Sequence, residues 1–197
     1  MPLRRRHIFL AIAAKPQVPQ EDIIQDLPDW LWDLHEVFSP QLADVLPPYR
    51  SWDIKIELLP GKEPSYHKNQ PLSSQELKVV RTWLDDNLRK GFIHESHARC
   101  ASPLILATKL GGEVRICQDY WGLNTITIKN RYPLPLIRET LNAPCCAKVY
   151  TKLDIIAAFN KLRIAEGHEW KTAFITRFGL FETLVMLFGL SNAPATF

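Results

Sequence analysis

The apolar run Ala147-Lys148-Val149-Tyr150-Thr151-Lys152-Leu153 is closed by one carboxylate, Asp154, and followed at once by Ile155-Ile156-Ala157-Ala158-Phe159. Alternation that ends on an acidic residue predicts a strand delivering Asp154 rigidly to the rim of a core, with a helix beginning near Ile155. A carboxylate held there can ligate a hard cation, but only together with other oxygen ligands. No second acidic pair of matching character follows before Phe197. Local sequence leaves a second reading open, in which Asp154 simply caps the helix after it.

Upstream, Leu27-Pro28 precedes a helix over 29–37 with Trp30, Leu31, Leu34 and Phe38 on one side, and Leu46-Pro47-Pro48 ends that unit. Residues 52–58 alternate like a strand, and Pro60-Gly61 turns it. Ser73-Ser74-Gln75-Glu76 has the reciprocal pattern of a capping box, so a helix is expected over about 74–90. Its buried stripe would be Leu77, Val80, Leu84 and Leu88, with Gly91 as its stop. Two β-rich runs, 103–109 and 114–120, meet at Gly111-Gly112, a pair that tolerates the positive φ of a tight hairpin and leaves Lys109 and Arg115 near its tip. Tyr132-Pro133-Leu134-Pro135 interrupts regular structure ahead of a short helix over 136–141. A last hairpin is expected over about 172–186, turning near Phe178-Gly179.

With 46% apolar and 23% charged residues in 197, the chain has ordinary globular composition and enough length for one good core or two small ones. Twenty-four basic against 21 acidic side chains do not announce a nucleic-acid binder. Their distribution says more, because residues 51–197 hold 19 basic and 14 acidic side chains, a mild surplus that suits a phosphate backbone. Cys100, Cys117, Cys145 and Cys146 lack paired metal spacing, and adjacent cysteines bridge each other poorly, so reduced thiols in an intracellular setting are expected. His94, His97 and Cys100 offer three zinc ligands with no fourth nearby, and the segment reads as solvated surface. Arg4-Arg5-Arg6 ahead of a seven-residue apolar run imitates a short signal peptide, but no disulfide-rich domain follows and secretion is not expected. No stretch approaches the roughly 20 apolar residues of a membrane span, so no membrane partner is expected.

Five motifs appear in order: Val114-Arg115-Ile116-Cys117-Gln118-Asp119-Tyr120-Trp121-Gly122-Leu123-Asn124, Lys129-Asn130-Arg131-Tyr132-Pro133-Leu134-Pro135, Thr151-Lys152-Leu153-Asp154, Glu169-Trp170-Lys171-Thr172-Ala173-Phe174 and Phe188-Gly189-Leu190-Ser191-Asn192-Ala193-Pro194-Ala195-Thr196-Phe197. From about residue 37 to 197 the chain closely resembles the reverse transcriptase of gypsy-type long-terminal-repeat retrotransposons, and five ordered motifs are far more specific than any one pattern. The resemblance implies an α+β chain: the fingers and an incomplete palm of a right-hand polymerase. Residues 1–45 would be a connector with a short helix, 46–147 the fingers region and 148–197 the start of the palm. The implied parent activity is RNA-directed DNA synthesis in a cytoplasmic particle or the nucleus, with Mg²⁺ as cofactor and an RNA or DNA template-primer and deoxynucleoside triphosphates (dNTPs) as partners.

The same resemblance distributes roles. Asp154 matches the first catalytic aspartate and a metal ligand, with the backbone carbonyl of Ile155 beside it. Lys109 and Arg115 would grip the incoming triphosphate, where a mobile ammonium and a planar fork suit phosphate oxygens. Ala158 and Phe159 would lie at the nucleotide, the Phe159 ring excluding a 2′ hydroxyl by bulk. Phe188 and Gly189 would flank base and ribose, and Lys129 and Arg131 would meet the template strand. On the residues alone, Lys109 and Arg115 equally solvate a hairpin, Phe159 equally packs a helix core, and Lys129 and Arg131 equally line a solvated loop.

The chain departs from the family pattern at Ile156 and Trp121, where arginine is usual, and at Leu187, where proline is usual. The Tyr/Phe-x-Asp-Asp turn that supplies the remaining catalytic carboxylates in the family is not among these residues, so the fragment is expected to be inactive alone. A non-catalytic nucleic-acid-binding remnant, or a transposon relic without cellular function, is the alternative.

Overall fold

The computed structural model describes residues 28–108, 114–133, 135–150 and 155–197. The described residues form one five-stranded mixed sheet with helices and irregular segments packed about it. The helix expected over 29–37 is a 3₁₀ helix, Asp29–Phe38, and none of its residues is buried. Pro28 caps it with no side-chain hydrogen bond, so its first amides lack the acceptor that normally starts an α-helix. A one-turn helix, α1 (Pro40–Ala43), follows, started by Ser39, whose hydroxyl accepts from the Leu42 amide.

The alternation at 52–58 does bury Ile54 and Ile56, yet it makes no continuous ladder. Its two ends find different partners, a parallel bridge from Ile54 to Ile164 and an antiparallel one from Leu58 to Thr127. Helix α2 (Ser74–Arg89) begins with the expected reciprocal pair: the Ser73 hydroxyl accepts from the Glu76 amide at 3.3 Å, and the Glu76 carboxylate accepts from the Ser73 amide at 2.7 Å. Val80 and Leu84 are buried, whereas Leu88 is 37% exposed. Each four-residue step overshoots a full turn, so Leu88 has rotated about 80° from Val80 and leaves the core face.

Strands β1 (Ile93–Glu95), β2 (Ser102–Thr108), β3 (Val114–Gln118), β4 (Phe174–Thr176) and β5 (Gly179–Thr183) lie in the order β1-β5-β4-β2-β3. The pairing of β2 with β3 is antiparallel from Leu104↔Gln118 to Thr108↔Val114, as the hairpin reading requires; the Gly111-Gly112 tip and Lys109 lie outside the described residues. The second expected hairpin is also present, with β4 and β5 antiparallel and Thr176 opposite Gly179. Strands β2 and β4 run parallel, Ser102 against Phe174 and Pro103 against Ile175. One sheet therefore draws strands from both sides of residue 147.

The described residues hold two buried apolar clusters. Val80 and Leu84 of α2 pack with Ile93, Leu104, Phe174 and Phe181. Ile54, Ile56, Tyr120, Leu123, Ile164, Met186, Leu190 and Ala193 form the other, between helix α3 (Trp121–Ile126) and the one-turn helix α5 (Ala193–Thr196). Between them in sequence, α4 (Ile137–Asn142) matches the short helix expected at 136–141 but buries none of its residues.

Two expectations about the acidic strand are corrected. Residues 147–150 join no ladder, and Val149 and Tyr150 are exposed; residues 151–154, including Asp154 and its capping reading, lie outside the described residues. No α-helix begins at Ile155. The chain turns at Ile156 and Ala157, the latter with φ +48°, and then makes a 3₁₀ helix, Ala158–Lys161. A left-handed residue at Ala157 breaks the i to i−4 pattern, and adjacent β-branched isoleucines are poor helix starters.

Candidate functional site

Four of the residues singled out in the sequence converge. Phe159, on the 3₁₀ helix Ala158–Lys161, faces Phe188 with ring centroids 4.3 Å apart and planes tilted by 45°. The Arg115 guanidinium, carried by β3, lies over the other partner of that contact, 4.6 Å from the Phe188 ring centre. Gly189 follows in a turn at φ +99°, a region open to glycine, where an added Cβ would stand 3.5 Å from the Gln118 carbonyl oxygen. Arg115 and Phe188 are exposed, while Ala158 and Phe159 are half-buried. An exposed guanidinium over an aromatic face, beside a second ring, is a surface that can take a planar, electron-rich ring and an anionic group together.

Sequence reading missed Phe197, which stacks on Phe159 at 5.6 Å with an interplanar angle of 17°. It also gave no role to Asn124 or Asn192, although both stand inside quoted motifs. The Asn124 side chain donates to the Gly189 carbonyl at 2.6 Å and accepts from the Ser191 amide at 2.8 Å. The Asn192 side chain donates to the Ile128 carbonyl at 2.8 Å and accepts from the Asn130 amide at 3.1 Å. In each case one carboxamide satisfies one backbone donor and one backbone acceptor at once.

The remaining candidates stand elsewhere. The Lys129 ammonium donates to the Asn124 carbonyl at the end of α3, so it braces that helix as well as facing solvent. Arg131 is exposed in the irregular segment before Tyr132. Ile155 is exposed, and Lys109 and Asp154 lie outside the described residues. Among the described residues no group of three or more His, Cys, Asp or Glu side chains is placed to hold a metal ion. That includes the zinc reading of 94–100: His94 Nε2 pairs with Glu182 at 2.7 Å, and Cys100 is buried with its thiol pushed up to about 11 by burial. The described residues thus make no divalent-cation site by themselves. No helix among them is long and apolar enough to cross a membrane.

Behind the aromatic cluster the support is buried. The Tyr120 hydroxyl donates to the Thr172 carbonyl at 3.0 Å, and burial holds its phenol far above the usual range. Thr172 and Thr183 are fully buried, and the Thr172 hydroxyl accepts from both the amide and the hydroxyl of Thr183, at 3.0 and 3.1 Å. Tyr120 and Thr172 therefore link the segment after β3 to the 3₁₀ helix Glu169–Thr172.

Residues 107–197 match the family model described as reverse transcriptase (RNA-dependent DNA polymerase). Over 173 residues, 87% of its length, the chain is 33% identical to the Transposon Tf2-3 polyprotein of Schizosaccharomyces pombe. The Tf2-4 and Tf2-7 polyproteins of the same yeast are similar at the same 33% identity. The chain spans about 13% of the length of these curated relatives.

Proposed function

We propose that the chain, whose residues 107–197 match the reverse transcriptase model, is a fragment of that domain as carried in retrotransposon polyproteins, and that it is the nucleotide-facing part of a gypsy-type RNA-directed DNA polymerase. Residues 46–147, with α2 and β1 to β3, would be its fingers, and residues 148–197 the start of its palm, whose β4 and β5 are hydrogen-bonded into the same sheet. Residues 1–45 would be a connector with a short helix.

The observation that carries the reading is the convergence of Arg115, Phe159 and Phe188 from three distant stretches of sequence. In this reading Arg115 and Lys109 hold the triphosphate, where fixed positive charge offsets the negative charge that develops on the leaving pyrophosphate. Phe188 and the Gly189 turn flank base and sugar, and Ala158 and Phe159 close the sugar side. Asp154 and the Ile155 carbonyl would contribute oxygen ligands for Mg²⁺, which needs further carboxylates to be held. Lys129 and Arg131 lie along the proposed template path of an intracellular enzyme.

The test uses this segment completed by the downstream segment of an active relative. A ring at 159 blocks a ribose 2′ hydroxyl sterically, so Phe159→Val should raise the efficiency for ribonucleotides relative to deoxynucleotides at least tenfold. If Phe159 serves only packing, the same truncation lowers both activities and the melting temperature together, and an unchanged sugar ratio would sink the assignment. Template-primer binding without extension in every completed chain would favour the remnant reading instead.

A further inference from the structure

The turn that presents Phe188 is not itself part of a helix or strand: Gly189 is at φ +99°, and the next helix in the chain, α5, begins at Ala193. Leu190 anchors it in the core, and one polar side chain ties it to α3. Asn124 projects from α3 and spans the turn, donating through Nδ2 to the Gly189 carbonyl and accepting through Oδ1 from the Ser191 amide. Both carboxamide ends are used, so the turn is set in distance and in rotation relative to α3. Helix α3 is itself tied to β3, because Asp119 Oδ1 accepts from the Trp121 amide at the first residue of the helix. The strand that carries Arg115 and the turn that carries Phe188 are therefore coupled through Asn124.

We propose that Asn124 is a positioning residue of the nucleotide site: its carboxamide sets the Phe188-Gly189 turn so that the Phe188 ring lies under the Arg115 guanidinium. It rests on the reading of that pair as nucleotide-facing, and acts without touching the nucleotide. Asn192 extends the same brace one step further, holding residues 128–130 against the end of the turn.

Nuclear magnetic resonance on the 197-residue chain tests this without catalysis. The Arg115 Nε–H signal senses the ring current of Phe188, and Phe188→Leu gives the position of that signal with the ring removed. Asn124→Ala should move it at least halfway to that position while the Tyr120 and Trp121 amides keep their places, which shows α3 intact. Asn124→Asp keeps the acceptor for Ser191 and loses the donor to Gly189, and should give a smaller shift in the same direction; it carries the test if Asn124→Ala does not fold. An Arg115 signal left at its wild-type position in the folded variant overturns the proposal. Affinity for magnesium dTTP, followed by titration, should fall at least fivefold in Asn124→Ala. If the wild-type chain shows no saturable dTTP binding while the Arg115 signal still moves, the nucleotide reading fails and the positioning role of Asn124 stands.

Discussion

Thr172 does more with one hydroxyl than any residue of its size in the core. It donates to the Glu169 carbonyl at 2.6 Å and accepts from the amide and hydroxyl of Thr183, all in a fully buried setting. Replacement by valine keeps the shape and leaves the Thr183 amide without a partner, which costs about 1–3 kcal/mol. Thr172→Val should therefore lower the urea midpoint at unchanged slope, and Thr172→Ser should lose much less. An unchanged midpoint for valine would mean that the hydroxyl pair contributes nothing net. At this scale the sequence named Arg115, Phe159 and Phe188 from three separate stretches, and the fold brings the three side chains into contact. It was silent on residues whose partners are backbone groups far along the chain. Asn124 and Asn192 have no local pattern that announces such partners, because the pairing exists only once the fold has brought the segments together.

Elements were legible where one local rule sufficed. The capping box of α2, the hairpin of β2 and β3 and the turn between β4 and β5 each follow from a few adjacent residues. Segments that depend on distant partners were not, as Ile54 and Leu58 show by bridging to Ile164 and Thr127 in place of a ladder. The stretch 54–58 is held by a further device that no periodicity reveals. His168 Nδ1 accepts from the Ile56 amide at 2.9 Å, and the Lys171 ammonium donates to the Ile56 carbonyl at 2.7 Å while standing 3.0 Å from the same imidazole nitrogen. Burial and then the Lys171 charge hold the His168 pKa below its usual value, with the Ile56 backbone contact, Glu169 and Glu57 opposing more weakly. Burial lowers Lys171 as well. A histidine depressed in the folded state binds fewer protons there than when unfolded. Its contribution to stability is thus fully present above its unfolded pKa of about 6.5 and is lost as pH falls through the folded value. Urea midpoints should drop between pH 7.5 and 5 more steeply for wild type than for His168→Gln, whose amide oxygen still accepts from Ile56. Parallel pH profiles for the two would refute the latch.

For the molecule as a whole, the surplus of positive charge over residues 51–197 is small, 19 basic against 14 acidic side chains. Binding of template-primer by these 197 residues should accordingly be weak, insensitive to base sequence and steeply weakened by salt. Fluorescence anisotropy across a salt series measures this, and a flat affinity would contradict it. The same residues should extend no primer on poly-rA with oligo-dT, because one matching carboxylate, Asp154, cannot organise two cations. Incorporation above a no-enzyme blank that vanishes in Asp154→Ala would overturn that expectation. The parallel pairing of β2 with β4 adds a consequence in time. Phe174 follows its partner Ser102 by 72 residues, so the β2–β3 hairpin leaves a ribosome with its edge at Ser102 and Pro103 still open. At roughly 5–20 residues per second that edge waits roughly 4–14 seconds for its neighbour, ample for a nascent chain to be met by a chaperone or by another nascent chain.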